Sequence, residues 1–235
     1  EERIAERIDA NLLNVSMEDL RQLPKDLYEQ KIEGIREKTV GKLIIKEYPT
    51  AVAHAGHFRH LLNELRLKIS FTPDIIYIDY INICASSRIK ASAYTNSYNH
   101  IKSIAEEIRG LAVERNVPIM SATQTNRVGF SNTDVELTDT SESFGLPATA
   151  DFMIAIISTE DLDNLDQIAV KQLKNRYNDL TTYKKFVVGL DRSKMRLYDV
   201  EDNAQSEIVD NSIGDLSTTN GFNKSRDYDF EGIQL

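Results

Sequence analysis

Hydrophobic residues in the first half of the chain recur mostly at helical spacing. Ile4, Ile8 and Leu12 are separated by charged residues, and Ser16 before Met-Glu-Asp is typical of a helix N-cap and first turn, so residues 2–38 are predicted to be helical. Two later stripes have the spacing of a helix face that packs on a sheet. They are Phe58, Leu61, Leu62, Leu65 and Ile101, Ile104, Ile108, Leu111.

Apolar runs without helical spacing predict strands. Residues 75–79 are dominated by β-branched side chains and do not alternate, which predicts a strand buried on both faces. Residues 117–122 and 152–157 predict two more strands, and 42–46 a short one. Candidates for antiparallel strands at a sheet edge are 167–175, 184–190 and 195–199. The order strand, helix, strand, loop, strand indicates an α/β fold with a β-rich end.

Composition places the chain among ordinary soluble proteins with one substantial core. It has 235 residues, of which 41% are hydrophobic and 28% charged, and no apolar stretch approaches the length of a membrane span. The single cysteine, Cys84, excludes an internal disulfide and favours a reducing, cytoplasmic compartment. We expect it to be a small buried filler.

The net charge of −9 is concentrated at the C-terminal end. Residues 201–235 contain eight acidic and two basic residues, so the remainder is nearly neutral and can present a local basic strip to DNA. This end lacks periodicity, which predicts one folded domain over residues 1–200 and a disordered acidic tail over 201–235. The tail's Phe230, Ile233 and Leu235 suit either partner docking or an inert solubilising terminus.

Three histidines share one side of the helix predicted around Leu61. They are His54, His57 and His60, and no carboxylate or cysteine completes a zinc ligand set with them. We therefore expect solvated histidines on a helix face.

An acid and an amide follow two of the predicted strands. Asp79 ends the strand 75–79, and Gln124 follows the strand 117–122. The carboxyl ends of strands line the ligand crevice of an open α/β sheet. A carboxylate that orders magnesium-bound water beside an amide that contacts a γ-phosphate is the arrangement of a RecA-like ATPase.

Four sequence blocks, in this order, resemble the DnaB family of hexameric replicative helicases. They are Ile-Asp-Tyr-Ile-Asn at 78–82, Val-Pro-Ile-Met-Ser-Ala-Thr-Gln-Thr-Asn-Arg at 117–127, Ser-Glu-Ser-Phe-Gly at 141–145 ahead of Ala150-Asp151, and Lys-Asn-Arg-Tyr-Asn at 174–178. The third block departs from the family pattern, because Ser141 stands where arginine is usual and Phe144 where glycine is expected.

The resemblance implies a RecA-like (P-loop NTPase) core with a mainly parallel sheet flanked by helices and antiparallel strands at its C-terminal edge. ATP, or another NTP, and Mg²⁺ would be the cofactors, with Asp79 holding magnesium through water and Gln124 contacting the γ-phosphate. Lys174 and Arg176 are two apart on a predicted strand, so both cations lie on one face. In a ring helicase they would complete the ATP site of a neighbouring subunit.

Candidate DNA contacts come from three polar segments. The block at 141–145 contributes Ser141, Glu142, Ser143 and Gly145, and the resemblance assigns it to a DNA-binding loop. Basic residues in the other segments are further candidates for the central channel, and solvated surface loops explain them equally well. These residues are Arg88, Lys90 and Arg127.

The implied function is that of an ATP-dependent helicase that unwinds DNA 5′ to 3′ at the replication fork. It would be a homo-hexamer around single-stranded DNA. Its partners would be a primase, a helicase loader and a single-strand-binding protein in the cytoplasm of a host cell, and no membrane is expected among them. The sequence has no Gly-x-x-x-x-Gly-Lys-Ser/Thr loop. Its sole Gly-Lys pair, Gly41-Lys42, has Arg36 at the position of the first glycine and Leu43 at the position of the serine or threonine. We therefore expect this chain alone to be inactive.

Two other interpretations stay open from the sequence. A recombinase or a clock-type ATPase of the RecA superfamily would place Asp79 and Gln124 in the same way. A non-enzymatic binding module could keep the fold without the nucleotide loop.

Overall fold

A computed structural model describes residues 1–89, 96–125, 135–137, 145–180 and 184–200. Several sequence predictions lie outside these described residues. They are the DNA contacts Lys90, Arg127, Ser141, Glu142 and Ser143, and the tail 201–235. No helix in the described ranges is both long and apolar enough to cross a membrane.

The N-terminal region forms three helices, as predicted. They are α1 (Glu2–Leu13), α2 (Met17–Gln22) and α3 (Lys25–Arg36). Ser16 is the N-cap of α2, and its Oγ accepts a hydrogen bond from the Asp19 backbone N–H at 3.0 Å. The strand predicted at 42–46 is wrong: these residues are irregular, and Leu43 is 62% exposed. A short apolar run forms a strand only when a neighbouring strand pairs with its backbone.

Two parallel strands and two helices form the first part of the α/β core. Helix α4 (Ala55–Ile69) precedes β1 (Ile76–Ile78) and a 3₁₀ helix (Ile81–Ile83), and α5 (Ser97–Arg115) leads to β2 (Ile119–Ser121). Strands β1 and β2 pair in parallel, which requires a crossover such as α5 between them.

Only one face of this strand pair is covered in the described residues. Ile78 and Ile119 pack against a core that includes Ile104 and Ile108 of α5. Tyr77, on the opposite face, is 68% exposed. The expectation that residues 75–79 are buried on both faces is therefore wrong for the part of the chain described.

The C-terminal part forms an antiparallel sheet. After α6 (Gly145–Thr149) come β3 (Phe152–Ile157), α7 (Glu160–Asn164), β4 (Gln167–Asn175), β5 (Lys185–Asp191) and β6 (Arg196–Asp199). The strand order is β3-β4-β5-β6, and every neighbouring pair is antiparallel. These strands lie close to the predicted ranges, and Ala169 and Val187, each 1% exposed, are at the centre of their core.

The single cysteine is a buried filler, as predicted. Cys84 is 7% exposed and packs in the α5 core, where burial raises the pKa of its thiol to about 11.

Two of the histidines cap the start of helix α4. His57, like His60, is an exposed histidine on this helix, as predicted, whereas His54 lies just before the helix and is partly buried. His54 is the N-cap, and its Nδ1 accepts a hydrogen bond from the Gly56 backbone N–H at 3.0 Å. His57 Nδ1 accepts from the His54 backbone N–H at 3.3 Å, which completes a capping box. A Cβ on Gly56 would lie 2.7 Å from the His54 ring, so this close approach requires glycine. Sequence spacing suggested a helix face because His54 is just one residue outside the helix.

Protonation of His54 is predicted to destabilise the protein. Burial lowers the pKa of His54, nearby His57 lowers it further, and Glu107 opposes both. The unfolded chain therefore binds the proton more readily, and the free energy of unfolding falls as pH drops below 6.5 through the folded-state pKa. An asparagine keeps the cap and cannot be protonated. We expect the melting temperature of His54→Asn to fall less than that of the wild type between about pH 7.5 and about pH 5.5.

The matched control is His60→Asn, which changes an exposed histidine on the same helix. It should keep the wild-type pH dependence. Equal pH dependence of His54→Asn and wild type would contradict the cap's role in acid sensitivity.

Candidate nucleotide site and cation cluster

The ends of the two parallel strands are joined by three cross-strand hydrogen bonds. Ser121 Oγ donates to the Ile78 carbonyl at 2.7 Å, and the Ile81 N–H donates to the carbonyl of residue 122 at 3.2 Å. Thr123 Oγ1 donates to Asn82 Oδ1 at 2.8 Å. These contacts fix the two segments that carry the predicted nucleotide residues.

Asp79 and Gln124 follow these strand ends, and both side chains are exposed. Ile78, just before Asp79, pairs with Ser121 in parallel register, so the acid and the amide leave the sheet at the same edge. The peptide bond between Asp79 and Tyr80 is cis. Water or a ligand can reach both side chains.

A single exposed carboxylate fits a magnesium ion that keeps most of its water ligands. Among the residues that the structure describes, no group of three or more His, Cys, Asp or Glu side chains could hold a metal ion. Contact between Asp79 and magnesium through water stays a prediction. The phosphate cradle that such a site needs is missing from the sequence itself.

The structure brings Lys174 and Arg176 to the same short helix. Lys174 Nζ, at the end of β4, donates to the Pro147 carbonyl of α6. Arg176 Nη2, just beyond β4, donates to the Ala148 carbonyl at 3.0 Å. Burial, and then the charge of Arg176, lowers the pKa of Lys174. The two cations therefore share one end of α6.

Asp151 joins this pair to helix α5. Its Oδ1 lies 2.8 Å from Arg176 Nη1, and its Oδ2 lies 2.6 Å from Arg109 Nη1. The hydrogen bond from Arg109 lowers the pKa of Asp151, burial opposes this, and the charges of Arg109 and Arg176 lower it further. Arg109, Asp151, Lys174 and Arg176 are called the cation cluster below.

Arg88 is held by two carboxylates of α5. Its Nη2 lies 2.9 Å from Glu106 Oε2, and its Nε lies 3.4 Å from Glu107 Oε1. A contact between Arg88 and DNA stays a prediction, and the Arg88 side chain is 52% exposed. Gly145, another candidate DNA residue, is buried at the start of α6.

Glu107 anchors the turn that follows the 3₁₀ helix. Its side chain is only 8% exposed and accepts hydrogen bonds from the Ser86 and Ser87 hydroxyls and from the Ser87 N–H at 2.9 Å. Burial raises the pKa of Glu107, but the hydrogen bonds from Ser86 and Ser87 outweigh it and lower the value to about 2.

Sequence reasoning did not identify Arg109 or Glu107. Glu107 had one signal, because Ser103 and Glu107 are four apart between the apolar positions of α5 and therefore share a face. Arg109 had none, since its partner Asp151 is 42 residues away.

Comparison with solved structures identifies the fold. One solved ATPase domain superposes with a TM-score of 0.65 at 15% identity and covers 83% of this chain and 69% of that chain. A DnaB-like replicative helicase, solved in a study of its interactions with primase, gives 0.64 at 16% identity and covers 83% and 47%. The chain thus has the RecA-like fold of helicase ATPase domains, which confirms the fold class predicted from the sequence.

Sequence relatives then define the family. The model of the DnaB-like helicase C terminal domain matches residues 1–193. The DnaB-like replicative helicase of Enterobacteria phage T4 is 44% identical over 217 residues, which are 91% of this chain and 46% of the relative. A probable plasmid replicative DNA helicase of Chlamydia muridarum is 30% identical over 182 residues, 76% of this chain and 38% of the relative.

The chain belongs to the DnaB-like helicase C-terminal domain family. The resemblance drawn from the four sequence blocks is confirmed, as is the T-even phage relationship that the helical opening and acidic tail also suggest. The chain spans less than half the length of these sequence relatives.

The anchor formed by Glu107 gives a stability prediction. Glu107→Gln removes the charge from a buried acceptor of several hydrogen bonds, so we expect the free energy of unfolding to fall by about 1–3 kcal/mol. Urea unfolding at neutral pH measures the change. Glu106→Gln, at a side chain that is 43% exposed, is the control and should change the value by less than about 0.5 kcal/mol. Equal effects of the two variants would contradict the anchoring role.

Proposed function

We propose that this chain is the C-terminal motor region of an ATP-dependent replicative DNA helicase that works as a homo-hexameric ring and unwinds DNA 5′ to 3′. The observation that carries the proposal is the placement of Asp79 and Gln124 at the ends of adjacent parallel strands, in a chain of the DnaB-like family. The family match favours a helicase over a recombinase or a clock-type ATPase.

ATP and Mg²⁺ are the proposed cofactors. Asp79 would hold the hydration shell of magnesium, and Gln124 would contact the γ-phosphate or the attacking water. Bound magnesium would neutralise charge that develops on the transferred phosphoryl group. These roles are supported by the exposure of Asp79 and Gln124 and by the hydrogen bonds that join their two segments.

Lys174 and Arg176 are the proposed residues that complete the ATP site of a neighbouring subunit. An arginine supplied by a partner contributes about 10³ to 10⁵ in rate to well-studied NTPases. The two cations lie together at one end of α6, on the antiparallel sheet, whereas Asp79 lies at the end of β1. Head-to-tail contact between copies is the symmetry that combines one subunit's acid with another's arginine.

The DNA contacts are proposed from the sequence, and the structure describes only some of these residues. The segment 141–145 is proposed as a DNA-binding loop from its sequence, and Gly145, which begins α6, is its one described residue. Ser141, Glu142 and Ser143 belong to that segment. The remaining basic candidates are Arg88, Lys90 and Arg127.

The wider assembly is proposed from the family. Single-stranded DNA, a primase, a loader and a single-strand-binding protein are the proposed partners, in the cytoplasm of a host cell. The solved structure of one DnaB-like replicative helicase was described together with its interactions with primase. Residues 1–200 would be the motor region, and 201–235 an acidic tail.

Mixed oligomers test the division of the ATP site between subunits. In the full-length protein, Asp79→Asn disables a subunit's own site and Arg176→Ala disables what it supplies to its neighbour. Each variant alone should lose DNA-stimulated ATPase activity. A one-to-one mixture should recover about a quarter of the wild-type rate, because that share of head-to-tail interfaces joins an intact Asp79 to an intact Arg176.

The control is Arg192→Ala, which removes an exposed arginine just beyond β5 that pairs with Asp163 of α7 at 2.5 Å. It should keep the wild-type rate. A mixture that stays inactive although the oligomers exchange subunits, or an active Arg176→Ala oligomer, would contradict the proposed role of Arg176.

The 235-residue chain by itself is predicted to show no DNA-stimulated ATPase activity, because its sequence lacks a phosphate-binding loop. Phosphate release with and without single-stranded DNA measures this, with the full-length protein as the positive control. Robust turnover by the isolated chain would show that its own residues form a complete site.

A further inference from the structure

Three consecutive carbonyl groups at the end of α6, those of residues 147–149, each accept a hydrogen bond from a different cation. The donors, in the same order, are Lys174, Arg176 and Arg109. The last carbonyls of a helix lack partners within the helix, and its C-terminal end attracts positive charge. This helix end is thus built to hold cations from two separate elements, α5 and β4.

Arg176 is fixed at three points. Its Nη1 donates to Asp151 Oδ1 at 2.8 Å, and its Nη2 donates to the Ala148 carbonyl at 3.0 Å. Its backbone N–H donates to the Asp151 carbonyl at 3.0 Å. Two acceptors on two different terminal nitrogens define both the position and the plane of a guanidinium group.

Asp151 is itself fixed from the other side. Arg109 Nη1 donates to both Asp151 Oδ2 at 2.6 Å and the Thr149 carbonyl at 2.7 Å. Arg109 belongs to α5, whose neighbouring residue Ile108 is 6% exposed in the first core. The carboxylate therefore has a rigid support, which a surface ion pair between two flexible side chains would lack.

The cation cluster can still bind an anion while Arg109 and Arg176 stay paired with Asp151. Three cations face one carboxylate, and the Arg176 side chain is 43% exposed. A group that stabilises a transition state gains most when it is held in place before the reaction, since its ordering then costs nothing at that step.

We propose that Asp151, held by Arg109, is a positioning residue that fixes the guanidinium of Arg176 for the nucleotide of a neighbouring subunit. This inference rests on the role proposed above for Arg176. The inference predicts that loss of the Asp151 carboxylate lowers ATPase activity when it occurs in the subunit that donates Arg176, and not when it occurs in the subunit that receives Arg176. A role in general folding, in assembly or in DNA binding would make Asp151 important in both.

The test places Asp151→Asn separately in each half of the mixed oligomer. In the donor placement, it is combined with Asp79→Asn, in the chain that supplies Arg176. In the receiver placement, it is combined with Arg176→Ala, in the chain that supplies the intact Asp79. Subunit exchange and oligomer mass are measured for both, and kcat and KM for ATP are measured with single-stranded DNA present.

The donor placement should lower kcat of the mixture about tenfold to 10²-fold, the loss expected when a catalytic group is misplaced by about 1 Å, with KM changed less than about threefold. The receiver placement should change kcat less than about twofold. In the donor chain, Arg109→Ala should lower kcat in the same way, and Arg109→Lys should recover most of the loss. Asp163→Asn, at the carboxylate that pairs with Arg192, is the matched control and should leave the mixture unchanged in either placement.

Several results would overturn the inference while leaving the role of Arg176 intact. They are an unchanged kcat in the donor placement, and an equal loss in both placements. If Asp151→Asn prevents assembly, the Arg109 variants decide, and an unchanged kcat with Arg109→Ala in the donor chain would overturn the inference. Failure of the mixture to recover activity before Asp151 is changed would instead contradict the proposed function.

Discussion

The carboxylate of Asp151 is the contact on which the arrangement of the cation cluster depends. It accepts hydrogen bonds from Arg109 of α5 at 2.6 Å and from Arg176 beyond β4 at 2.8 Å. Helix α5 packs in the core around the parallel strands, and β4 contributes to the core of the antiparallel sheet. Each pair is partly exposed and adds little stability by itself. Its importance is geometric, because it joins two arginines from distant parts of the sequence at the end of one short helix.

The two sets of candidate residues lie on different elements of the chain. Asp79 and Gln124 leave the parallel pair at one edge, where hydrogen bonds such as that from Ser121 to the Ile78 carbonyl keep the segments in register. Lys174 and Arg176 belong to the antiparallel sheet and contact α6. In our proposal, a ring of copies brings the acid of one subunit to the arginine of the next.

Periodicity predicted the helices and most strands because apolar spacing reflects burial directly, as in the stripe of α5 that contains Ile104 and Ile108. It failed for residues 42–46, where strand formation depends on a partner that the local sequence does not specify. It also misplaced His54, since one residue separates a helix face from an N-cap. Of the site, the motif residues were predicted by family resemblance, whereas Arg109 was missed because a pairing across 42 residues has no local signal.

The most direct test of the account is a structure of the full-length oligomer on single-stranded DNA with an ATP transition-state analogue. The distance from the Arg176 guanidinium to the γ-phosphate mimic of the neighbouring subunit is the measurement. We predict a direct hydrogen bond, about 2.7–2.9 Å long, with Asp151 still paired to both arginines. An Arg176 that points away from every nucleotide, or that reaches one only after leaving Asp151, would contradict the account.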